Sequence, residues 1–235
     1  MIPALLAAWL LHELGHWLML RVLGLRVGLR NRWLLGVAVE MDAACQGWRE
    51  ALVAAAGPSA NLLGLAVCRG MACQVGFEAN FVMAAVNLLP FLPLDGGKLL
   101  RGLLAGALGW HRVTDWLLLW GQGAALAFVL TIWYFGLQRW LLVLAGWLYL
   151  VARREKSCAP FVLERGLAAC VGQARRPRRI VRVRRDMAVY QVVRRLSPGW
   201  HNWVCCGGRL LDGDVLVREM LAGEGLRAVG EYFAA

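Results

Sequence analysis

Charge is scarce in this chain, and acidic charge scarcest: 15 Asp and Glu stand against 26 Lys and Arg, and charged residues fill 17% of the 235 positions. With 60% hydrophobic residues, that scarcity makes the chain far more apolar than an ordinary soluble domain and points first to a membrane protein. The seven cysteines include no CxxC pair and no regularly spaced even set. A disulfide framework and a cysteine-built metal site are therefore excluded, and the cysteines are read as free thiols. The N-terminus lacks a basic stretch ahead of its apolar run and a small-residue cleavage site. No signal peptide is therefore expected, and the first segment is expected to stay in the membrane.

What the chain has instead is long uncharged runs at 51–68, 79–94, 116–138 and 140–152, with 1–20 interrupted only by His12, Glu13 and His16. A spanning helix needs about 20 apolar residues, so 79–94 and 140–152 must borrow flanking residues, tilt or thin the bilayer. Basic residues gather after the first, third and fifth runs: Arg21, Arg26, Arg30, Arg32 and Arg49, then Lys98, Arg101 and Arg112, then Arg153, Arg154 and Lys156. The alternate connections hold Arg69 and Arg139. By the positive-inside rule this pattern predicts a polytopic α-helical integral membrane protein of about five spans, with the N-terminus outside and the C-terminus in the cytoplasm. Solvated or lipid-facing charge also accounts for the net charge of +11, so no direct nucleic-acid partner is expected. Residues 21–40, punctuated by Gly24, Gly28 and Gly36, are too polar for a sixth span and are expected to form a re-entrant or interfacial segment.

Composition changes abruptly near Ala152, which divides the chain into a membrane-embedded domain at 1–152, a linker at 153–177 and a cytoplasmic domain at 178–235. In that last domain 179–183 alternates like a strand, and Asp186 is placed to cap a helix carrying Val189, Val192, Val193 and Leu196. A second strand is expected at 202–206, Gly207-Gly208 as a hairpin turn, and Asp214 as the cap of a last helix through Met220. The result is a small α+β domain.

His12-Glu13-Leu14-Gly15-His16 puts two imidazoles at i and i+4 on one helix face with a glutamate beside them. That is the geometry of a zinc site with its general base: two nitrogen ligands hold the ion, and Glu13 takes a proton from the attacking water. In a soluble helix the same string arises by chance from two core histidines and a surface glutamate. In an apolar segment an ionisable residue costs about 2.5–3.5 kcal/mol on insertion scales, so three polar groups together mark a functional site. A third ligand is required, and Asp95 is the candidate, closing the run Asn87-Leu88-Leu89-Pro90-Phe91-Leu92-Pro93-Leu94-Asp95-Gly96-Gly97-Lys98. On its own it reads more simply as the cap of a helix starting at Gly96. The topology places it at the same cytoplasmic-side depth as HELGH. Gly57-Pro58-Ser59-Ala60-Asn61 introduces a kink and an amide. Asn61 and Asn87 are candidates for substrate or transition-state contacts, with helix packing as the plainer account of Asn61 and an equally good account of Asn87.

HELGH in the first apolar segment, GPSAN in the second and NLLPFLPLDGGKLL closing the third together resemble the site-2 protease family of intramembrane zinc metalloproteases, nearest its stage IV sporulation protein FB branch. The resemblance implies cleavage of a membrane-associated precursor, with His12, His16 and Asp95 as zinc ligands and Glu13 as base. For the sporulation branch it implies a sigma-factor precursor as substrate and inhibitory membrane proteins as partners. The tail at 179–221 is similar to a single cystathionine-β-synthase (CBS) repeat, a module that usually works in pairs. That similarity implies pairing of tails in a homo-oligomer and an adenine nucleotide such as ATP as a ligand, with Arg178, Arg179, Arg182, Arg184 and Arg185 as phosphate contacts. The same arginines suit anionic lipid, and the domain can equally serve only to dock substrate. Sporulation proteases carry a spanning segment before HELGH, so either the start of this sequence is truncated or misassigned, or the protein works with five spans. Two other readings remain. A proteolytically silent chaperone or scaffold of the same fold would be expected to lack Glu13 or Asp95, and a metal transporter would be expected to show polar residues along its later spans.

Overall fold

The computed structural model describes residues 1–25, 47–135, 140–173 and 176–233, and four two-residue strands between 27 and 41. Six helices make the larger part: α1 (Ile2–Val22), α2 (Trp48–Gly70), α3 (Gln74–Asn87), α4 (Asp95–Leu108), α5 (Trp110–Tyr134) and α6 (Trp140–Cys170). The first of them begins at Pro3 in its opening turn, where a missing N–H costs nothing. α1 packs on α2 and α3, α2 on α3 and α4, and α4 and α6 both on α5. The expected re-entrant segment falls on β1 (Val27–Gly28), β2 (Arg32–Trp33), β3 (Gly36–Val37) and β4 (Glu40–Met41), paired antiparallel as β1 with β4 and β2 with β3. The remainder of 26–46 lies outside the described residues.

Two of the described helices, α2 and α5, are long and apolar enough to cross a membrane. A core helix of a soluble protein would pass the same test, but it would be mostly buried. Here only 33% of the apolar window of α2 and 28% of that of α5 are buried. Leu6, Leu10, Leu14 and Leu18 on α1, and Trp116, Leu119, Trp120, Leu126, Leu130 and Trp133 on α5, face outward. Apolar surface on that scale is unsuited to water and suits lipid, which makes this a membrane protein.

The third apolar run, 79–94, is helical only in its first part, and 88–94 is irregular. α3 stops at Asn87 after 14 residues, and α4 starts afresh at Asp95. Between them Pro90 and Pro93 remove backbone donors, so the helix cannot run on. α4 also corrects the expectation that all the basic residues after the third run are solvated. Arg101 is 6% exposed and paired with Glu50 of α2 and Glu155 of α6, and Lys98 reaches Asp95. Arg101 is a charge built into the helix packing, and Lys98 is tied to the first turn of its own helix.

The change of composition near 153 is likewise no break in structure, since α6 continues for 31 residues, about 46 Å. That exceeds a hydrocarbon core of about 30 Å, so its apolar first half and charged second half belong to different surroundings. Ala159, Leu163 and Leu167 recur every fourth residue and bury one face of that second half against the tail. The tail itself is β5 (Arg178–Arg182), α7 (Val189–Val193), β6 (His201–Cys206), β7 (Arg209–Asp212) and α8 (Gly213–Leu221), followed by a 3-10 turn at Val229–Phe233. β5 runs parallel to β6, with Val181 opposite Val204, and β6 antiparallel to β7. Gly207 and Gly208, both at positive φ, form the hairpin turn.

Two capping expectations are corrected. Asp186 is exposed and pairs with Arg184, and α7 starts after Ala188. The last helix is capped by Asp212, whose side chain accepts from the Asp214 N–H, while Asp214 pairs with Arg176. In both places an arginine close in space competes for the carboxylate, which a local capping pattern does not register. The tail is fastened to the membrane helices at the end of α4. Ser197 Oγ donates to the Ala105 carbonyl (2.7 Å) and accepts from the Trp110 N–H (3.1 Å), and a Cβ on Gly106 would fall inside the Trp200 ring.

Candidate metal centre

The i, i+4 spacing puts His12 and His16 on one side of α1, facing α2 across Gly57. A Cβ on Gly57 would collide with His16 Nε2 and His12 Cε1, so GPSAN supplies the clearance that lets both imidazoles lie against α2. Asp95 arrives from the first turn of α4, where the helix N-terminus favours an anion. Leu94 occupies the capping position, and the Asp95 carboxylate turns to the histidines instead of capping.

His12 Nε2 and His16 Nε2 lie 2.9 Å and 3.0 Å from the same Asp95 oxygen, Oδ2, and 3.1 Å from each other. Lys98 Nζ donates to the other oxygen, Oδ1, at 2.9 Å. On the far side of each ring Nδ1 meets an acceptor: Asn61 Oδ1 at 2.7 Å for His12 and the Val53 carbonyl at 2.7 Å for His16. A carbonyl only accepts, so the His16 Nδ1 carries the proton and a neutral ring presents a bare Nε2. Two imidazole nitrogens and a carboxylate oxygen thus converge with electron pairs toward one point. Three such ligand atoms so close together are placed to hold a cation between them. Ligands at about 2.0–2.1 Å and tetrahedral angles stand about 3.3 Å apart, near the spacing found here. The donor set of two histidines and one carboxylate suits zinc with a position left open, and no other cluster of three such groups occurs among the described residues.

Glu13 follows His12 on α1 and is half-buried, outside this ligand cluster. Asn61 is fully buried, and its amide is committed within the fold to His12, the Ala8 carbonyl and Asn80. These bonds join α1, α2 and α3 and support helix packing as the account of Asn61. Asn87 is half-buried and donates one turn back to the Met83 carbonyl at 3.0 Å. Asn80 and Lys98 were missed by reasoning from sequence. Asn80 carried a usable signal, an amide within an uncharged run. In the tail, Arg179 bonds the Arg195 carbonyl and Ser197 Oγ, and Arg184 pairs with Asp186 at the surface, so two of the five arginines expected at phosphates have partners within the fold. Six cysteines among the described residues are free thiols; Cys45 lies outside them.

No protein-family model matches the chain. A Mycobacterium tuberculosis protein named as a zinc metalloprotease, Rip3, is 32% identical over 127 residues in each of two strains, covering 47% of this chain and 31% of that protein. The chain thus spans about a third of the length of the curated relatives it matches. Among solved structures, the site-2 protease from Methanocaldococcus jannaschii superposes with a TM-score of 0.55 at 22% identity, covering 65% of this chain and 76% of that one. Over about two thirds of its length this chain therefore shares the fold of a solved site-2 protease.

Proposed function

We propose that the protein is an intramembrane zinc metalloendopeptidase of the site-2 type, which hydrolyses a peptide bond in a membrane-associated protein. The observation that carries this reading is the convergence of His12 Nε2, His16 Nε2 and Asp95 Oδ2 within 3.1 Å of one another. Zinc held there supplies Lewis acidity and brings the pKa of a water toward about 7. Glu13 takes the proton of the attacking water and returns it to the leaving amine. Lys98 and the start of α4 hold Asp95 ionised and aimed, and α1 and α2 keep bulk water from the site.

Asp95→Asn tests the ligand assignment. An amide is a weaker, uncharged donor, so zinc affinity is expected to fall about tenfold or more, with activity falling alongside. Full zinc occupancy and normal turnover in the purified variant would leave Asp95 a structural residue.

The finer reading places the protein in the sporulation branch, acting on a sigma-factor precursor, on the strength of the NLLPFLPLDGGKLL segment. Co-expression with candidate precursors tests it. The tail is read as a CBS-like module that docks substrate, and an adenine nucleotide would have Arg178, Arg182 and Arg185 left for its phosphates. The charge alternation puts the C-terminus in the cytoplasm. A reporter active only in the cytoplasm should then work when fused after Ala152 and fail when fused at Gly136, and the reverse pattern would overturn the orientation.

A further inference from the structure

We infer, on the basis of the metal-site reading above, that Asn80 is a positioning residue of the metal centre, acting through Asn61 to fix which nitrogen of His12 faces the metal. An imidazole ligates through the nitrogen that lacks a proton, and the partner of the other nitrogen decides which that is. His12 Nδ1 faces an amide, Asn61, and an amide can present either end. Turned over, Asn61 would offer its NH2 to Nδ1, the imidazole proton would move to Nε2, and ligation would be blocked.

The surroundings forbid that turn. Asn61 Nδ2 donates to the Ala8 carbonyl at 2.8 Å and to Asn80 Oδ1 at 3.0 Å. Asn80 is oriented in its turn by donating to the Gly76 carbonyl at 2.9 Å. Backbone carbonyls only accept, so the polarity of the chain is set at both of them. Protons run from His12 to Asn61, from Asn61 to Asn80 and Ala8, and from Asn80 to Gly76. His12 Nε2 is left bare toward Asp95 Oδ2. Asn61, Asn80 and His12 are 0%, 6% and 4% exposed, so water is not at hand to replace a lost partner, and each unmet polar group there is costly.

A second observation points the same way. Gly64 lies one turn beyond Asn61 on α2, and a Cβ there would fall 2.7 Å from Asn80 Oδ1 and 2.6 Å from Leu11 Cδ2. The missing side chain is the opening through which the α3 amide reaches Asn61.

The experiment measures zinc affinity by chelator competition on the full chain in detergent, without any activity assay. Asn80→Leu keeps the approximate size but removes the acceptor, and is expected to weaken zinc about tenfold or more, the usual scale for a partner behind a metal ligand. Gly64→Ala, which displaces the Asn80 amide, should shift affinity in the same direction. Asn80→Asp keeps an acceptor for Asn61 and should bind more tightly than Asn80→Leu. Wild-type affinity in Asn80→Leu or in Gly64→Ala, or Asn80→Asp weakened as much as Asn80→Leu, would overturn the inference. If Asn80→Leu does not accumulate, wild-type affinity in Gly64→Ala alone is enough to overturn it. Failure of the wild type itself to bind zinc is a different result and would remove the metal-site reading.

Discussion

Glu13→Gln is expected to keep zinc at the wild-type level and to lose peptide hydrolysis by at least about 10²- to 10⁴-fold, the usual contribution of a positioned acid–base group. Glutamine has the same shape and hydrogen-bonding reach, but it cannot take a proton from water at neutral pH. The ligand cluster is His12, His16 and Asp95, so the metal should not notice the change. Measurement needs two readouts on one preparation: zinc per chain by elemental analysis, and cleavage of a single-span substrate co-reconstituted in vesicles. Cleavage within about tenfold of wild type would remove Glu13 from the mechanism, since a base worth less than 10² lies outside that range. Loss of zinc together with activity would make Glu13 a ligand and displace the scheme. The paired measurement also separates this variant from Asp95→Asn, for which zinc and activity fall together.

The histidine pair was legible in the sequence because helical spacing is a local property: residues four apart share a face whatever surrounds them. Asp95 was legible as a candidate through its two prolines and two glycines, but its choice between cap and ligand was not. That choice depends on His12, 83 residues away, and His16, 79 residues away. The tail's order of strand, helix, hairpin and helix was readable from turn residues and alternation. Its capping aspartates were not, because Arg176 and Arg184 redirect Asp214 and Asp186. α4 was hidden most completely. Lys98 and Arg101 look like the charges that follow a membrane span; Lys98 is in fact tied to Asp95 on its own helix, and only the packing of α2 and α6 shows that Arg101 is paired within the fold. Asn80 failed to attract notice for a related reason, since its partner Asn61 lies on another helix and the opening between them is a glycine on that same helix.

The buried ion pair in the middle of α4 carries the second large prediction. Arg101 donates to Glu50 Oε1 through Nε (2.9 Å) and Nη2, and to Glu155 through Nη1 at 3.2 Å, with its guanidinium 5.1 Å from the Trp110 ring centroid. Glu50 is 2% exposed, and its second oxygen, Oε2, has no hydrogen-bond partner. Removing the arginine therefore leaves a buried carboxylate without its ion-pair partner, with only the charge of Lys98 acting on it from further off. Arg101→Met is expected to destabilise the protein by about 3–5 kcal/mol, the cost typical of breaking a buried pair by deleting one member. Replacing the pair together is a different matter, because two apolar side chains carry no stranded charge. Glu50→Met with Arg101→Met should recover most of the loss, even though Glu155, whose side chain is 25% exposed, then faces the gap alone. Unfolding in mixed detergent micelles, followed by tryptophan fluorescence or far-ultraviolet dichroism, reads both variants against the wild type. Zinc retention should follow the same order, since Asp95 lies six residues, about 9 Å, up the same helix. An Arg101→Met protein as stable as the wild type, or a double variant no better than the single one, would mean that the charges are solvated after all and that α4 is held by its glycine and alanine contacts with α2.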